Sequence, residues 1–433
     1  MNRQKHTSIA AMRMCTCLIA ATVLSLLLVS VTSAGQWPRF RGPNGQGISD
    51  AKAIPAKWTQ SDYRWKIKLP GDGPSSPVVW DEKVFVTCAD KSVAKGILVA
   101  VDGGTGKTLW KKEYALSRFK MSNLNSYAAG TPALADDRIY ILWPTAKDML
   151  LVTLDHAGNE IWQKDFGPIT SVHGPGISPI VVDDLLVFAR EQKSSSGSVK
   201  SAWMAVDRNA GQTRWIIPRQ GGAISYSTPC LHRPRGGAAQ LVFTSQAHGI
   251  TAVDPGAGRI IWEADSAFNA RVVSSPVIVG DLIAGTCGQG GGGKRLTVIR
   301  PPALPGDPAK EAYSSEDRAS GAIPYVSTSL CKDGLLFSCH DQGTICCRRA
   351  TTGEILWSEK PAGRYYGSPV WVDGRLYCIT RDGDVVVVKA APEYELLSVN
   401  TLGEKSDATP AVADDKMYLR TASHLICIGG DAK

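Results

Sequence analysis

Residues 288–295 (GQGGGGKR) combine a glycine-rich backbone with a lysine, and such residues can surround a phosphate group. Phosphate-binding loops of this kind carry the pattern GxxxxGK[ST] and lead into a helix whose N-terminus faces the anion. This segment lacks the pattern, and no helical periodicity follows it. The sequence therefore predicts the tip of a β-hairpin here.

Residues 382–384 (DGD) contain two carboxylates separated by one glycine. Calcium-binding loops contain aspartates at this spacing together with further oxygen ligands. The complete EF-hand pattern does not occur in the sequence, nor do GxSxG, HExxH, CxxC or the haem attachment pattern CxxCH. Asp and Gly also favour tight turns. We expect a turn between two strands at this position, and the sequence predicts no catalytic and no metal-binding residue.

The most regular feature of the chain is a repeated Gly-x-x-x-Trp, and an aspartate precedes its glycine in most copies. The preceding residues alternate between the two faces of a strand, so each copy predicts a third strand, a turn and a fourth strand that ends near the tryptophan. A tryptophan there can lie flat between neighbouring repeats and bury on the order of 200 Å². The tryptophans expected to dock the repeats are Trp65, Trp110, Trp162, Trp215, Trp262 and Trp357.

A second repeated feature, Ser/Thr-x-Pro or Ser/Thr-Pro, precedes an apolar strand, an Asp/Gly turn and another apolar strand. Proline has no N–H to donate and is tolerated at the first residue of a strand. Successive copies lie 40 to 55 residues apart, which is typical of propeller blades with four short strands. The eight positions are Pro77, Pro132, Pro179, Pro229, Pro276, Ser329, Pro369 and Pro410.

Eight copies predict an all-β fold, an eight-bladed β-propeller of four-stranded antiparallel blades. The last copy ends after three strands, and residues 63–69 (YRWKIKL) supply the missing fourth strand from the start of the chain. Closing the ring in this way removes a free sheet edge. We assign residues 62–430 to the propeller and residues 35–61 to an N-terminal arm. Two separate β domains would need a linker that the even spacing does not show.

Residues 1–34 have the features of a secretory signal peptide, with basic Arg3, Lys5 and Arg13, an apolar run and small residues up to Ala34. A membrane anchor is the alternative, but the run over residues 18–31 is shorter than the roughly 20 apolar residues that span a bilayer. The remaining chain has a mild positive charge and no basic cluster interleaved with aromatic residues. We expect a periplasmic or secreted monomer that has no transmembrane segment after signal removal and binds no nucleic acid.

Residues 100–110 (AVDGGTGKTLW) resemble the tryptophan-docking motif AxDxxTGxxxW of quinoprotein propellers at every fixed position. Residues 205–215 and 252–262 match it except that alanine replaces the threonine, whereas the sixth copy has Arg349 in place of the aspartate and the fifth has lost the motif. The resemblance covers about residues 62–430. Residues 37–45 (WPRFRGPNG) are also similar to the lead-in of secreted bacterial members, and their aromatic, Pro and Gly content predicts an ordered arm packed on the propeller.

The resemblance implies one of two functional classes. Some members are dehydrogenases of alcohols or sugars that hold pyrroloquinoline quinone and calcium in the central funnel, and their alcohol dehydrogenases carry a vicinal disulfide against the quinone. Others, such as the propeller subunit of the outer-membrane β-barrel assembly machinery, bind no cofactor and act through surface loops. The adjacent Cys346 and Cys347 suggest the first class, but alignment on Trp357 places Cys347 within a third strand, where cysteine fills the core. The repeats also leave little room for a cap.

The connection from the outer strand of one blade to the inner strand of the next should cross the face that surrounds the central funnel. Tyr and Arg are frequent there, and these residues give large contact area and directional donors. They could equally pack the tops of the blades. We expect a non-catalytic scaffold without a cofactor that binds another exported or envelope protein or polymer on this face; a quinone-dependent dehydrogenase is the alternative. The candidate binding residues are Asn125, Tyr127, His173, Tyr226, Arg271, Tyr325, Arg364, Tyr365, Tyr366 and Asp407.

Overall fold

The computed structural model describes residues 35–430, except residues 119, 172, 175, 193–200, 291, 305 and 318–320. The predicted signal peptide, residues 1–34, lies outside the described residues. Three short strands precede the first blade: β1 (Gln36–Trp37), β2 (Ile48–Ser49) and β3 (Trp65–Lys68). Short 3-10 turns occur at Pro43–Gly45, Gln60–Asp62 and Asp265–Ala267. None of the helices in the described part of the chain is long and apolar enough to cross a membrane.

Eight sheets, each an antiparallel meander from an inner to an outer strand, form the ring and confirm the predicted eight-bladed propeller. The first four blades contain β4 (Val78–Trp80), β5 (Lys83–Asp90), β6 (Lys95–Asp102) and β7 (Thr108–Ala115); β8 (Ala133–Ala135), β9 (Arg138–Pro144), β10 (Met149–Asp155) and β11 (Glu160–Asp165); β12 (Ile180–Val182), β13 (Leu185–Arg190), β14 (Ser201–Asp207) and β15 (Thr213–Arg219); and β16 (Cys230–His232), β17 (Gln240–Ser245), β18 (Gly249–Val253) and β19 (Ile260–Ala264).

Blades 5 to 8 continue the ring in chain order. They contain β20 (Val277–Val279), β21 (Leu282–Gln289), β22 (Gly292–Arg300) and β23 (Lys310–Asp317); β24 (Leu330–Lys332), β25 (Leu335–Cys339), β26 (Ile345–Arg349) and β27 (Ile355–Glu359); β28 (Val370–Val372), β29 (Arg375–Ile379), β30 (Asp384–Lys389) and β31 (Leu396–Thr401); and β32 (Ala411–Ala413), β33 (Lys416–Arg420), β34 (His424–Gly429) and β3. Each predicted Pro or Ser position immediately precedes an inner strand, a place where proline's missing N–H is tolerated.

The ring closes as predicted, because β3 pairs antiparallel with β34, with Trp65 opposite Cys427. Three local predictions are also confirmed. Residues 288–295 lie around the turn of the β21–β22 hairpin, and residues 382–384 lie at the turn between β29 and β30. Cys346 and Cys347 lie in β26, the third strand of blade 6, where both are buried free thiols.

Four docking tryptophans contact the turn glycine of the next blade: Trp65, Trp110, Trp162 and Trp215. A Cβ atom on Gly258 would lie 2.5 Å from the Trp215 ring, so only glycine leaves room for the indole. The indole N–H also donates to a main-chain carbonyl in the same turn, as from Trp215 to the Pro255 oxygen over 2.8 Å. The equivalent bonds run from Trp65 to Gly103, Trp110 to His156, Trp162 to Arg208 and Trp357 to Ala391. These tryptophans stand near the start of the fourth strand, so the prediction that the strand ends there is wrong.

Blade 5 departs from this scheme because its repeat has lost the docking turn. Trp262 is buried beside Ile283 and Ile299 of blade 5, but its N–H donates to the Gln240 side chain of its own blade over 3.0 Å. Tyr313 takes the place of a tryptophan in the outer strand of blade 5. Its hydroxyl donates to the Ala350 carbonyl of blade 6 over 2.9 Å.

The N-terminal arm lies inside the central channel, not merely on the propeller. Inner strands start on the funnel face, β1 pairs antiparallel with the inner strand β4, and β2 runs parallel to the inner strand β28. The arm therefore rises towards the funnel, turns near Pro43–Gly45 and descends again. It covers inner-strand edges that would otherwise leave N–H and C=O groups unpaired.

Two buried arginines hold this arm against two different blades of the ring. Arg39 donates to the Pro229 carbonyl of blade 4 over 2.5 Å, and Arg41 donates to the Ser329 carbonyl of blade 6 over 2.8 Å. Burial lowers the pKa of Arg39 to about 10 and that of Arg41 to about 9, so both guanidinium groups remain charged at neutral pH.

A ring of buried hydroxyl groups joins the inner ends of the blades. In most blades a backbone N–H just before the inner strand donates to the Ser or Thr hydroxyl of the next blade, as from Ser76 to Thr131 over 3.0 Å. Seven of the eight such links form among the described residues; the bond from the Ser178 N–H to the Thr228 hydroxyl does not. The hydroxyl residues are Ser76, Thr131, Ser178, Thr228, Ser275, Thr328, Ser368 and Thr409.

Thr131→Val should lower the free energy of unfolding by about 1–3 kcal/mol, because it leaves the buried N–H of Ser76 without an acceptor. Thr228→Val is the matched control: its hydroxyl receives no such bond from blade 3, so its cost should be smaller. Denaturant unfolding of both variants measures the difference. Equal costs would show that the hydroxyl ring adds no stability through these bonds.

Candidate functional site

The central funnel contains a pocket of about 430 Å³ on the face where the blade-to-blade connections cross. The arm closes it from below, with Phe40 at its floor, and most hydroxyls of the ring line its lower wall. Aromatic side chains from several connections stand above them. The funnel pocket is therefore a closed-bottomed cup, not a through-channel.

The structure brings seven of the ten predicted residues together in this pocket. Each comes from a connection between an outer strand and the next inner strand, which is why residues far apart in sequence meet. They are Asn125, His173, Tyr226, Arg271, Tyr325, Tyr366 and Asp407.

Arg271 is the one Lys or Arg among the described residues that line the funnel pocket. Its guanidinium donates to the Tyr325 hydroxyl over 3.4 Å, a long bond, and forms no ion pair with a described carboxylate. Burial and the Arg271 charge together lower the pKa of His173, so this imidazole is neutral at pH 7. The Tyr226 hydroxyl donates to the Gly174 carbonyl over 3.0 Å. The pocket thus holds a single positive charge among aromatic rings.

The Tyr325 side of the pocket is fixed by a buried charge cluster. The Asp341 carboxylate accepts from the backbone N–H groups of Tyr325 and Val326 over 2.9 and 3.0 Å. Lys294 lies 3.0 Å from the same carboxylate and 2.6 Å from the His340 ring. These contacts hold the connection between blades 5 and 6, and hence Tyr325, in one position.

Arg381 was not predicted, yet it organises the neighbouring wall, formed by Tyr366 and Asp407. Its guanidinium lies 4.0 Å over the Tyr366 ring and donates to Asp407 over 2.7 Å. Arg381 follows β29, in the turn to β30, and such turns lie on the same face as the connections. The sequence could have indicated this residue, because Arg381 is a charged residue in the turn between the second and third strands of a blade.

Three predicted residues lie elsewhere. Tyr365 is fully buried between blades 6 and 7, and Tyr127 is buried between blades 1 and 2, so placing them on the funnel face was wrong. Tyr365 pairs with Thr380 in a β-bridge, so the backbone is extended here. Successive side chains of an extended chain point in opposite directions, which places Tyr365 between the blades and Tyr366 in the funnel. Arg364 is exposed, outside the pocket lining, and its carbonyl accepts from the Arg381 N–H over 2.7 Å.

The acidic groups of the pocket are few. Asp407 is the one carboxylate among the described lining residues, and it is already paired with Arg381. The described residues contain no group of three or more His, Cys, Asp or Glu side chains that could hold a metal ion. Calcium requires six to eight oxygen ligands, usually including several carboxylates. This donor set does not fit a calcium-assisted quinone site.

Eight four-stranded blades, aromatic side chains docked on the turns of neighbouring blades and a pocket in the central funnel define the quinoprotein-type propeller. The chain also matches the sequence profile of a family described as outer membrane protein assembly factor BamB, over residues 94–299 and 309–429. It belongs to this family of pyrroloquinoline-quinone-like repeat proteins. No curated protein matches its sequence.

Solved structures with this fold include dehydrogenases and BamB. A europium-containing methanol dehydrogenase superposes with a TM-score of 0.66 at 13% identity, covering 92% of this chain and 99% of its own. BamB from Moraxella catarrhalis superposes with a TM-score of 0.59 at 15% identity, covering 85% of this chain and 97% of its own. The quinohemoprotein alcohol dehydrogenase of Comamonas testosteroni superposes with a TM-score of 0.64 at 14% identity, covering 92% of this chain and 81% of its own. At these identities the likeness shows the fold alone.

Proposed function

We propose that this protein is an exported, non-catalytic scaffold that binds a segment of another exported or envelope protein or polymer in the funnel pocket. The observation that carries the proposal is the position of Arg271, which has no carboxylate partner among the described residues and stands beside Tyr226 and Tyr325. Tyrosine and arginine dominate binding hot spots, because they combine large area with directional donors. The exported location follows from the predicted signal peptide.

We further propose that the funnel holds no pyrroloquinoline quinone. A quinone dehydrogenase, the alternative function, needs a carboxylate base and oxygen ligands for calcium. The described pocket lining offers only Asp407, whose two oxygens accept from Arg381 over 2.7 and 3.4 Å. Purified protein incubated with the quinone and calcium should show neither stoichiometric uptake by absorbance nor dye reduction with alcohols or sugars. Uptake with turnover would replace the scaffold by the dehydrogenase.

Alanine at Tyr226, Arg271 or Tyr325 should weaken capture of the exported partner by roughly tenfold or more, since loss of a hot-spot side chain costs about 1–2 kcal/mol or more. The melting temperature should change little, because these side chains line the pocket and are only partly buried. Affinity capture from the exported fraction, compared with the parent protein, measures the effect. Lys107→Ala, in an exposed turn outside the funnel pocket, is the control. Capture that all three funnel variants leave unchanged would exclude the funnel as the binding site.

A further inference from the structure

Beside the funnel pocket lies a smaller recess of about 250 Å³ between blades 8 and 1, which we term the alcove. Pro74, Leu124, Asn125 and Asp407 line both cavities, so the two adjoin each other. A ligand seated in the funnel pocket can therefore extend into the alcove without leaving the protein surface.

The alcove carries more positive than negative charge. Its cations are Lys91, Arg381, Lys405 and Arg420, and its carboxylates are Asp72 and Asp407. Both carboxylates are already paired, Asp72 with Lys91 over 3.3 Å and Asp407 with Arg381 over 2.7 Å. Lys405 and Arg420 remain without a carboxylate partner among the described residues.

Arg420 is the unusual member because its side chain is 0% exposed. It donates to the carbonyls of Ser75 and Thr87 over 2.9 and 2.7 Å, and its remaining acceptors are the Ser75 hydroxyl and the Cys88 sulfur, all neutral. Its Nε–H has no partner among the described residues. Burial lowers the pKa of Arg420, and the nearby Asp72 carboxylate, itself paired with Lys91, offsets this only in part. A second anion bound in the alcove would offset more of the cost of the buried charge.

The two cavities differ in the chemistry they accept. The funnel pocket presents Tyr226, Tyr325 and Tyr366, which pack against an aromatic or large apolar group. The alcove presents Lys405 and Arg420, which attract an anion, and guanidinium groups pair well with carboxylates. Both open on the same face, and side chains two residues apart in an extended peptide point the same way.

Resting on the proposed scaffold function, we propose that the recognised partner segment is an extended peptide with an aromatic residue and, two positions away, an acidic one. The aromatic side chain occupies the funnel pocket, and the carboxylate enters the alcove beside Lys405 and Arg420.

The test is a fluorescence anisotropy titration of the full mature protein with labelled peptides of the sequence Ser-Gly-Phe-Ser-Asp-Gly-Ser. Replacing Asp by Asn should weaken binding at least tenfold, as should replacing Phe by Ala. Lys405→Glu should weaken binding of the Asp peptide by a similar factor and leave the Asn peptide unchanged. Lys405 is exposed, so this variant retains the fold, and Lys107→Glu, in an exposed turn outside both cavities, is its charge-matched control.

Equal affinity for the Asp and Asn peptides, or no binding at about 1 mM peptide, would overturn the inference. So would tight binding of acetate or inorganic phosphate alone, which would show a site for free anions. If partner capture still depends on Tyr226 and Arg271 while the peptides show no dependence on Asp, this inference fails and the scaffold function stands. If capture is indifferent to the funnel variants, the scaffold function itself fails.

Discussion

Gly258→Ala should lower the free energy of unfolding by about 3 kcal/mol or more, the combined cost of left-handed backbone and overpacking. Gly258 has φ +63°, and its added Cβ would lie 2.5 Å from the Trp215 ring. A rigid indole seated between two blades has little room to move, so the contact must be relieved by opening the interface between blades 3 and 4. Calorimetry or denaturant unfolding measures the loss.

Gly374→Ala separates the two causes of that loss. Gly374 also has positive φ, +75°, but no atom lies within 4 Å of where its Cβ would be. Its cost should be about 1–2 kcal/mol, the backbone contribution alone. If the two alanine variants lose equal stability, the tryptophan contact does not hold the blades together.

Trp37→Ala should cost about 3–5 kcal/mol, the usual range for truncating a buried tryptophan. Trp37 is 1% exposed and packs in a cluster with residues of blades 7, 8 and 1, so the variant leaves a cavity where the arm enters the channel. Ile216→Ala, at a site 50% exposed on an outer strand, should cost well under 1 kcal/mol. If both variants lowered the free energy of unfolding by the same amount, Trp37 of the arm would add nothing to the stability of the ring.

The repeat pattern predicted nearly all of the ring, because each blade follows the same local rules of strand, turn and docking residue. Closure by residues 63–69 was predictable for the same reason, since Trp65 stands where a repeat tryptophan belongs. The docking role of Tyr313 was not predicted, because Tyr313 replaces the tryptophan in a repeat that lacks the docking motif. The position of the arm was also beyond local rules: its bonds join residues as far apart as Arg41 and Ser329.

The site was less predictable than the ring. The propeller topology shows which connections cross the funnel face. It does not show which of two adjacent residues in a connection points into the funnel, because that depends on the local backbone conformation, as Tyr365 and Tyr366 illustrate. Arg420 stands at the end of an ordinary blade strand and gave no sequence signal. Its role depends on a gap between blades 8 and 1 that only the assembled ring creates.

The most direct test of the funnel as a binding site is photo-crosslinking in the host cell. A benzoylphenylalanine at Leu124, which is 56% exposed and lines both cavities, reports on the funnel face, and one at Leu109, 42% exposed on an outer strand, reports on the rim. We expect a discrete protein adduct from Leu124 that Arg271→Ala abolishes, and none from Leu109. Adducts from Leu109 alone would contradict binding in the funnel.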